Sequence, residues 1–97
     1  GPETGEEELF SALEDGAVLI RNPSSRLAWS EIDLGLLLFA SGQSRLLPAH
    51  LRELLKLICS ADALHADNLS QWLADDEARS LLLELVKQGS LEFADEE

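Results

Sequence analysis

The sequence predicts an α+β fold, and three observations carry that prediction. Short apolar or alternating runs broken by turn residues fill the first half. Apolar residues at helical spacing fill the second half. The last helical stretch stops at Gly89 and is followed by Ser90-Leu91-Glu92-Phe93, a short closing strand. An N-terminal helix, a small antiparallel sheet, then three helices and a closing strand is a winged-helix-like order.

Thr4-Gly5-Glu6-Glu7 matches the capping-box pattern, a hydroxyl cap with a glutamate three residues on. A helix is therefore expected over residues 5–14, with Leu9, Phe10 and Leu13 as its apolar face. Glu6, Glu7 and Glu8 suit its positive end, and Asp15-Gly16 ends it.

Residues 17–20, Ala-Val-Leu-Ile, read as a buried strand. Asn22-Pro23-Ser24-Ser25 is turn chemistry, and residues 26–30 alternate as a half-buried strand does, with Trp29 on the face of Leu27. A third strand is expected over residues 34–40, although so short an apolar run also suits a helix. After the turn at residues 41–44, Arg45-Leu46-Leu47 pairs back as a fourth strand.

Pro48 fits the first position of a helix, and Leu51, Leu54, Leu55 and Ile58 follow at i, i+3, i+4 and i+7. Residues 67–74 read as a short helix carrying Leu69, Trp72 and Leu73, capped by His65 or Asp67. Asp75 caps the last helix, whose stripe is Ala78, Leu81, Leu82, Leu85 and Val86.

The chain has 97 residues and 45% hydrophobic content, enough for one modest core. We read residues 5–93 as a single domain, residues 1–4 as a linker or tag remnant and residues 94–97 as an acidic tail. No apolar run approaches the roughly 18 residues of a membrane span, and the acidic start is no signal peptide. The lone Cys59 sits among apolar neighbours at helical spacing, which reads as a buried thiol in a reducing cytoplasm.

The net charge is −12, with only seven Lys and Arg residues, scattered along the chain. Nucleic-acid sites neutralise phosphates with clustered cations, so duplex reading is not expected although the element order is that of a reader. Anionic membrane surfaces are disfavoured on the same ground, whereas basic partners are not. His50 and His65 lie on different elements and read as a solvated side chain and a helix cap. The carboxylates cluster at element ends, where capping and solvation account for them. No catalytic, cofactor-binding or metal-ligating residue is therefore assigned. Trp29 and Trp72 are core residues or candidates for a partner surface, where aromatics are enriched.

Residues 9–21, LFSALEDGAVLIR, together with the runs ADALHADNL and WLADDEARSLLLELVKQGSLEF, carry a family resemblance. They resemble the C-terminal domain of bacterial JmjC-type ribosomal oxygenases. The resemblance implies a parent enzyme dependent on Fe(II) and 2-oxoglutarate that hydroxylates an arginine of a ribosomal protein. It implies the order catalytic cupin, helical dimerisation segment, winged-helix-like domain. The iron triad and the 2-oxoglutarate site of that family lie in the cupin, so no catalytic position carries over to this chain. The expected partners are the cupin of the same chain and a basic ribosomal protein, in the cytoplasm. A free-standing acidic adaptor is the alternative, and a nucleic-acid-binding winged helix a third.

Overall fold

The computed structural model describes residues 5–94. The linker expected over residues 1–4, the Thr4 cap and most of the acidic tail lie outside them. Helix α1 (Glu6–Glu14) is followed by strands β1 (Leu19–Arg21), β2 (Leu27–Ile32), β3 (Gly35–Ala40) and β4 (Gln43–Leu47). A 3-10 turn (Ala49–Leu51) leads into α2 (Arg52–Ser60), a second 3-10 turn (Ser70–Trp72) precedes α3 (Asp76–Lys87), and β5 (Leu91–Phe93) closes the chain. The α+β, winged-helix class stands.

Helix α1 begins at Glu6 with Gly5 as its N-cap, and the Gly5 N–H donates to Glu8 Oε1 at 2.7 Å. That is the glutamate half of a capping box, one residue later than the sequence pattern placed it. Leu9, Phe10 and Leu13 are buried as their spacing requires.

The strands form two sheets rather than one. Strands β2, β3 and β4 make an antiparallel meander, whereas β1 pairs with β5, matching Leu19 to Phe93 and Arg21 to Leu91. The first strand starts two residues later than expected, and Leu19 also bridges to Leu64. A three-residue strand cannot stand alone, so its partners come from the far end of the chain.

The helix expected over residues 67–74 is only a series of turns around the 3-10 segment. Asn68 explains this. Its Oδ1 accepts the His65 N–H at 2.9 Å and its Nδ2 donates to the Ala63 carbonyl at 2.9 Å. A side chain committed to the preceding backbone competes with helix formation there. His65, not Asp67, is the capping partner, since its Nδ1 faces the Asn68 N–H at 3.4 Å.

Leu51, Leu54, Leu55 and Ile58 are all buried, and α3 buries Ala78, Leu81, Leu82 and Leu85. Val86, expected in that stripe, is only partly buried. These helices, α1 and the inner face of the meander enclose one leucine-rich core. Each fully buried leucine contributes about 1.5–3 kcal/mol.

Candidate interaction surface

The meander has two faces, fixed by strand alternation. Leu27 and Trp29 on β2, Leu36 and Leu38 on β3 and Leu47 on β4 point inward and pack on the core. The opposite face carries Ala28, Ser30 and Ile32, then Leu37 and Phe39, then Ser44 and Leu46. Register places Ser30, Leu37 and Leu46 in one row across the three strands, and Ala28, Phe39 and Ser44 in the next.

Two turns join the strands of this sheet. Ser41 and Gly42 both have positive φ, 54° and 76°, as a two-residue hairpin turn requires. At the other end Gly35 has φ 142°, and a Cβ there would stand 2.6 Å from the Leu47 carbonyl oxygen. Leu34, at the tip of that turn, is 81% exposed.

Seven outward positions of the meander thus carry no charge, and four of them are large and apolar. Ile32, Phe39 and Leu46 are 38%, 42% and 53% exposed, and Leu37 is half-buried. The continuous apolar run of residues 36–40 is therefore a strand with apolar side chains on both faces.

The tryptophans lie elsewhere. Trp72 is 7% exposed and belongs to the core, so it is not available to a partner. Trp29 is half-buried on the inner face, with the Arg52 guanidinium 5.9 Å from its ring centroid. Arg52 in turn pairs with Glu31 at 3.1 Å. The exposed large apolar residues of the meander are an isoleucine, leucines and a phenylalanine instead.

His50 is not simply solvated. Its Nε2 lies 2.8 Å from Asp75 Oδ2 and 3.7 Å from Glu77 Oε1, and these are the only three described residues whose ligand atoms gather closely enough to share a metal ion. The group is largely exposed, and Asp75 Oδ1 already accepts the Ala78 N–H at 2.9 Å as the α3 cap. The positive end of α3 opposes a cation here, so the group reads as a surface hydrogen-bonded contact that joins the turn before α2 to α3. The Ala78 N–H, and then His50, holds the Asp75 carboxyl below its usual range.

Residues 65–67 read His-Ala-Asp, so the chain does contain a His-x-Asp pattern, contrary to the expectation from the sequence that it has none. They border a shallow depression with Glu14, but His65, Asp67 and Glu14 do not bring three ligand atoms together. His65 Nδ1 is turned to Asn68. Neither group fits a facial iron triad of two histidines and one carboxylate with open positions: the first gathers one histidine with two carboxylates, and the second does not bring three ligand atoms together.

Cys59 is half-buried, and burial pushes its thiol up, with Arg21 only partly opposing this. Arg21 is itself committed, donating to the Ile58 and Ala61 carbonyls at the end of α2. A raised pKa makes a poor thiolate nucleophile. The groove between β4 and α3, lined by Arg45, Glu84 and Gln88 among others, holds about 250 Å³, less than the roughly 300–1,000 Å³ of usual small-molecule sites.

Comparison with known proteins places this fold in context. Solved structures of the Escherichia coli ribosomal oxygenase YcfD superpose with a TM-score of 0.76 at 29% identity, over 96% of this chain and 24% of theirs. Another structure of YcfD, in complex with cobalt and 2-oxoglutarate, matches equally well over 97% of this chain. The chain thus spans about a quarter of the length of these relatives. No curated protein matches it significantly. The ROXA-like winged-helix family matches residues 1–92. With nearly the whole sequence inside that match, the chain belongs to the ROXA-like winged-helix family.

Proposed function

We propose that the chain is the non-catalytic accessory module of an Fe(II)- and 2-oxoglutarate-dependent ribosomal oxygenase, a protein arginine hydroxylase acting in the cytoplasm. It packs against the catalytic cupin of its own polypeptide and aids engagement of a basic ribosomal protein. One observation carries the reading: the family match spans residues 1–92, and the whole chain superposes on only 23% of the YcfD chain. The cofactors would be held by the catalytic part, because neither histidine-containing group described above fits them. When bound there, iron and 2-oxoglutarate would supply the oxidising chemistry. This chain's residues contribute packing and surface charge. The net charge of −12 suits a basic protein substrate and opposes nucleic acid.

The test is to delete this module from the intact polypeptide. Iron content and 2-oxoglutarate turnover without protein substrate should stay near the parent's values. Hydroxylation of the ribosomal protein should fall through its apparent KM. A truncated enzyme that is folded yet binds neither iron nor 2-oxoglutarate would show instead that the module completes the active site. The uncovered meander face also suits a free-standing acidic adaptor, which an intact polypeptide lacking any catalytic cupin would support.

A further inference from the structure

We infer that the outer face of the β2–β3–β4 meander is the surface through which this module docks on the rest of its own polypeptide. The occupant is an uncharged, apolar patch of the adjoining catalytic part. The inference rests on the accessory reading above and assigns it a surface.

The first argument is the strand pattern. An antiparallel sheet with one solvated face shows clean alternation of apolar and polar residues. Strand β3, Gly-Leu-Leu-Leu-Phe-Ala, does not alternate. It is written as a strand covered on both sides, yet only Leu36, Leu38 and Ala40 are covered by this chain. Leu37 and Phe39, with Ile32 and Leu46 on the flanking strands, form the unpartnered side.

The second argument is charge. The chain carries 19 Asp and Glu residues, and none falls among the seven outward positions of the meander. Depletion of charge at the centre of a patch marks interface cores. Charged residues flank it instead, with Arg26 beyond one end and Asp33 in the turn at the other.

The third argument selects the occupant. Three strands about 4.8 Å apart, over some five residues of about 3.3 Å, make a face of roughly 250 Å². Burying it against a partner removes roughly 500 Å² in total. A stable interface between free proteins needs about 1,000 Å² or more. Two copies of a chain with charge −12 also repel one another. A second copy is therefore a poor occupant. A tethered domain is a good one, because the linker supplies a high effective concentration and interfaces within a chain begin at about 600 Å², close to this size. The solved relatives show that this unit occurs within a chain about four times its length.

The experiment compares the intact polypeptide with Phe39→Glu/Leu46→Glu, both exposed positions, and with Ser11→Glu on the exposed side of α1 as control. Junction accessibility is read by limited proteolysis and overall size by small-angle scattering. The double variant should speed cleavage at the junction by about tenfold, as expected when a docked unit opens, and should enlarge the particle. The control should do neither. Circular dichroism melts of the 97-residue chain should be little changed by the double variant; if they are not, Leu46→Lys alone replaces it. Unchanged cleavage and size in the intact protein would overturn the inference. So would sedimentation of the wild-type chain as a dimer that the double variant dissociates, which would assign the face to a second copy. If the face variant opens the molecule but deleting the module leaves hydroxylation untouched, docking holds and the substrate role fails. If deletion lowers hydroxylation while the face variant changes nothing, the module's role stands and this surface is wrong. An intact polypeptide with no catalytic part overturns both.

Discussion

The Arg79 guanidinium lies 4.1 Å from the centroid of the Phe10 ring, clamping α3 onto α1. Its Nε donates to Glu6 Oε2 at 2.9 Å and a terminal nitrogen donates to the Leu73 carbonyl at 2.6 Å. One fork thus joins α1, α3 and the turn between Trp72 and Asp75. Arg79→Ala should lower stability by about 1–2 kcal/mol, the sum of a partly desolvated cation–π contact and a hydrogen bond. Arg79→Lys should recover less than half of this, because an ammonium cannot stack and bond in two directions at once. Urea denaturation of the three proteins measures both. Full recovery by lysine would reduce the contact to a point charge.

The same geometry bears on nucleic acid. Arg79 is the one arginine of α3, the helix that would enter a groove, and it is turned into the fold. The outward side of that helix carries Asp76, Glu77 and Glu84. The chain should therefore show no binding to random duplex DNA even at about 50 mM salt, where electrostatic association is strongest. A fluorescence anisotropy titration checks this, and micromolar binding would refute it.

The core was legible in the sequence because helix periodicity is a local signal. Leu51, Leu54, Leu55 and Ile58 declare one face whatever packs on it. Trp29 and Leu27 share a face for the equivalent reason in a strand. What was illegible was non-local. Nothing in residues 17–20 says that their strand partner is seventy residues away in β5. One local signal was also missed: residues 67–74 carry apolar spacing that suits a helix, and Asn68 breaks it through bonds to His65 and Ala63, three and five residues back. The candidate surface was hidden by the non-local limit. A run such as Leu36-Leu37-Leu38-Phe39 announces burial on both faces, and only the structure reveals which face this chain leaves open.

Leu82 is fully buried, while its neighbour Leu83 is only half-buried. Leu82→Asp should place an unpaired carboxylate in the leucine core and cost several kcal/mol, comparable with the about 5 kcal/mol that a marginal domain holds in all. Leu83→Asp should cost far less, since its carboxylate reaches water. Thermal melts followed by circular dichroism distinguish the two. Equal destabilisation would mean that α3 is rotated from the facing described.

The cap of α3 should be visible in acid. The Ala78 N–H, helped by His50, lowers the Asp75 pKa in the folded state. A depressed carboxyl stabilises the fold above its unfolded pKa and loses that contribution as pH falls through the folded value. Asp75→Asn keeps an acceptor for the cap but removes the charge. The wild type should therefore be the more stable of the two near neutrality. The gap should shrink as pH drops below about 4, the ordinary aspartate range. Paired urea titrations at several pH values read it. A gap independent of pH would mean that the cap works through shape alone.

Gly35 sets the register of the meander, and its substitution is the sharpest local test of the sheet. Its φ of 142° is one that L side chains rarely adopt, and an added Cβ would lie 2.6 Å from the Leu47 carbonyl oxygen. That oxygen belongs to a strand backbone, so relief requires β3 and β4 to part. Gly89 is the matched control: it too has positive φ, 84°, but a Cβ there meets nothing within 4 Å. Gly89→Ala should cost about 1 kcal/mol for backbone conformation alone. Gly35→Ala should cost about 2–4 kcal/mol, since steric conflict with backbone adds to the same conformational strain. Hydrogen exchange should localise the difference, with protection lost across residues 36–39 and 44–47 and retained in α2 and α3. Equal costs for the two substitutions would mean that the close approach of Gly35 to Leu47 relaxes freely.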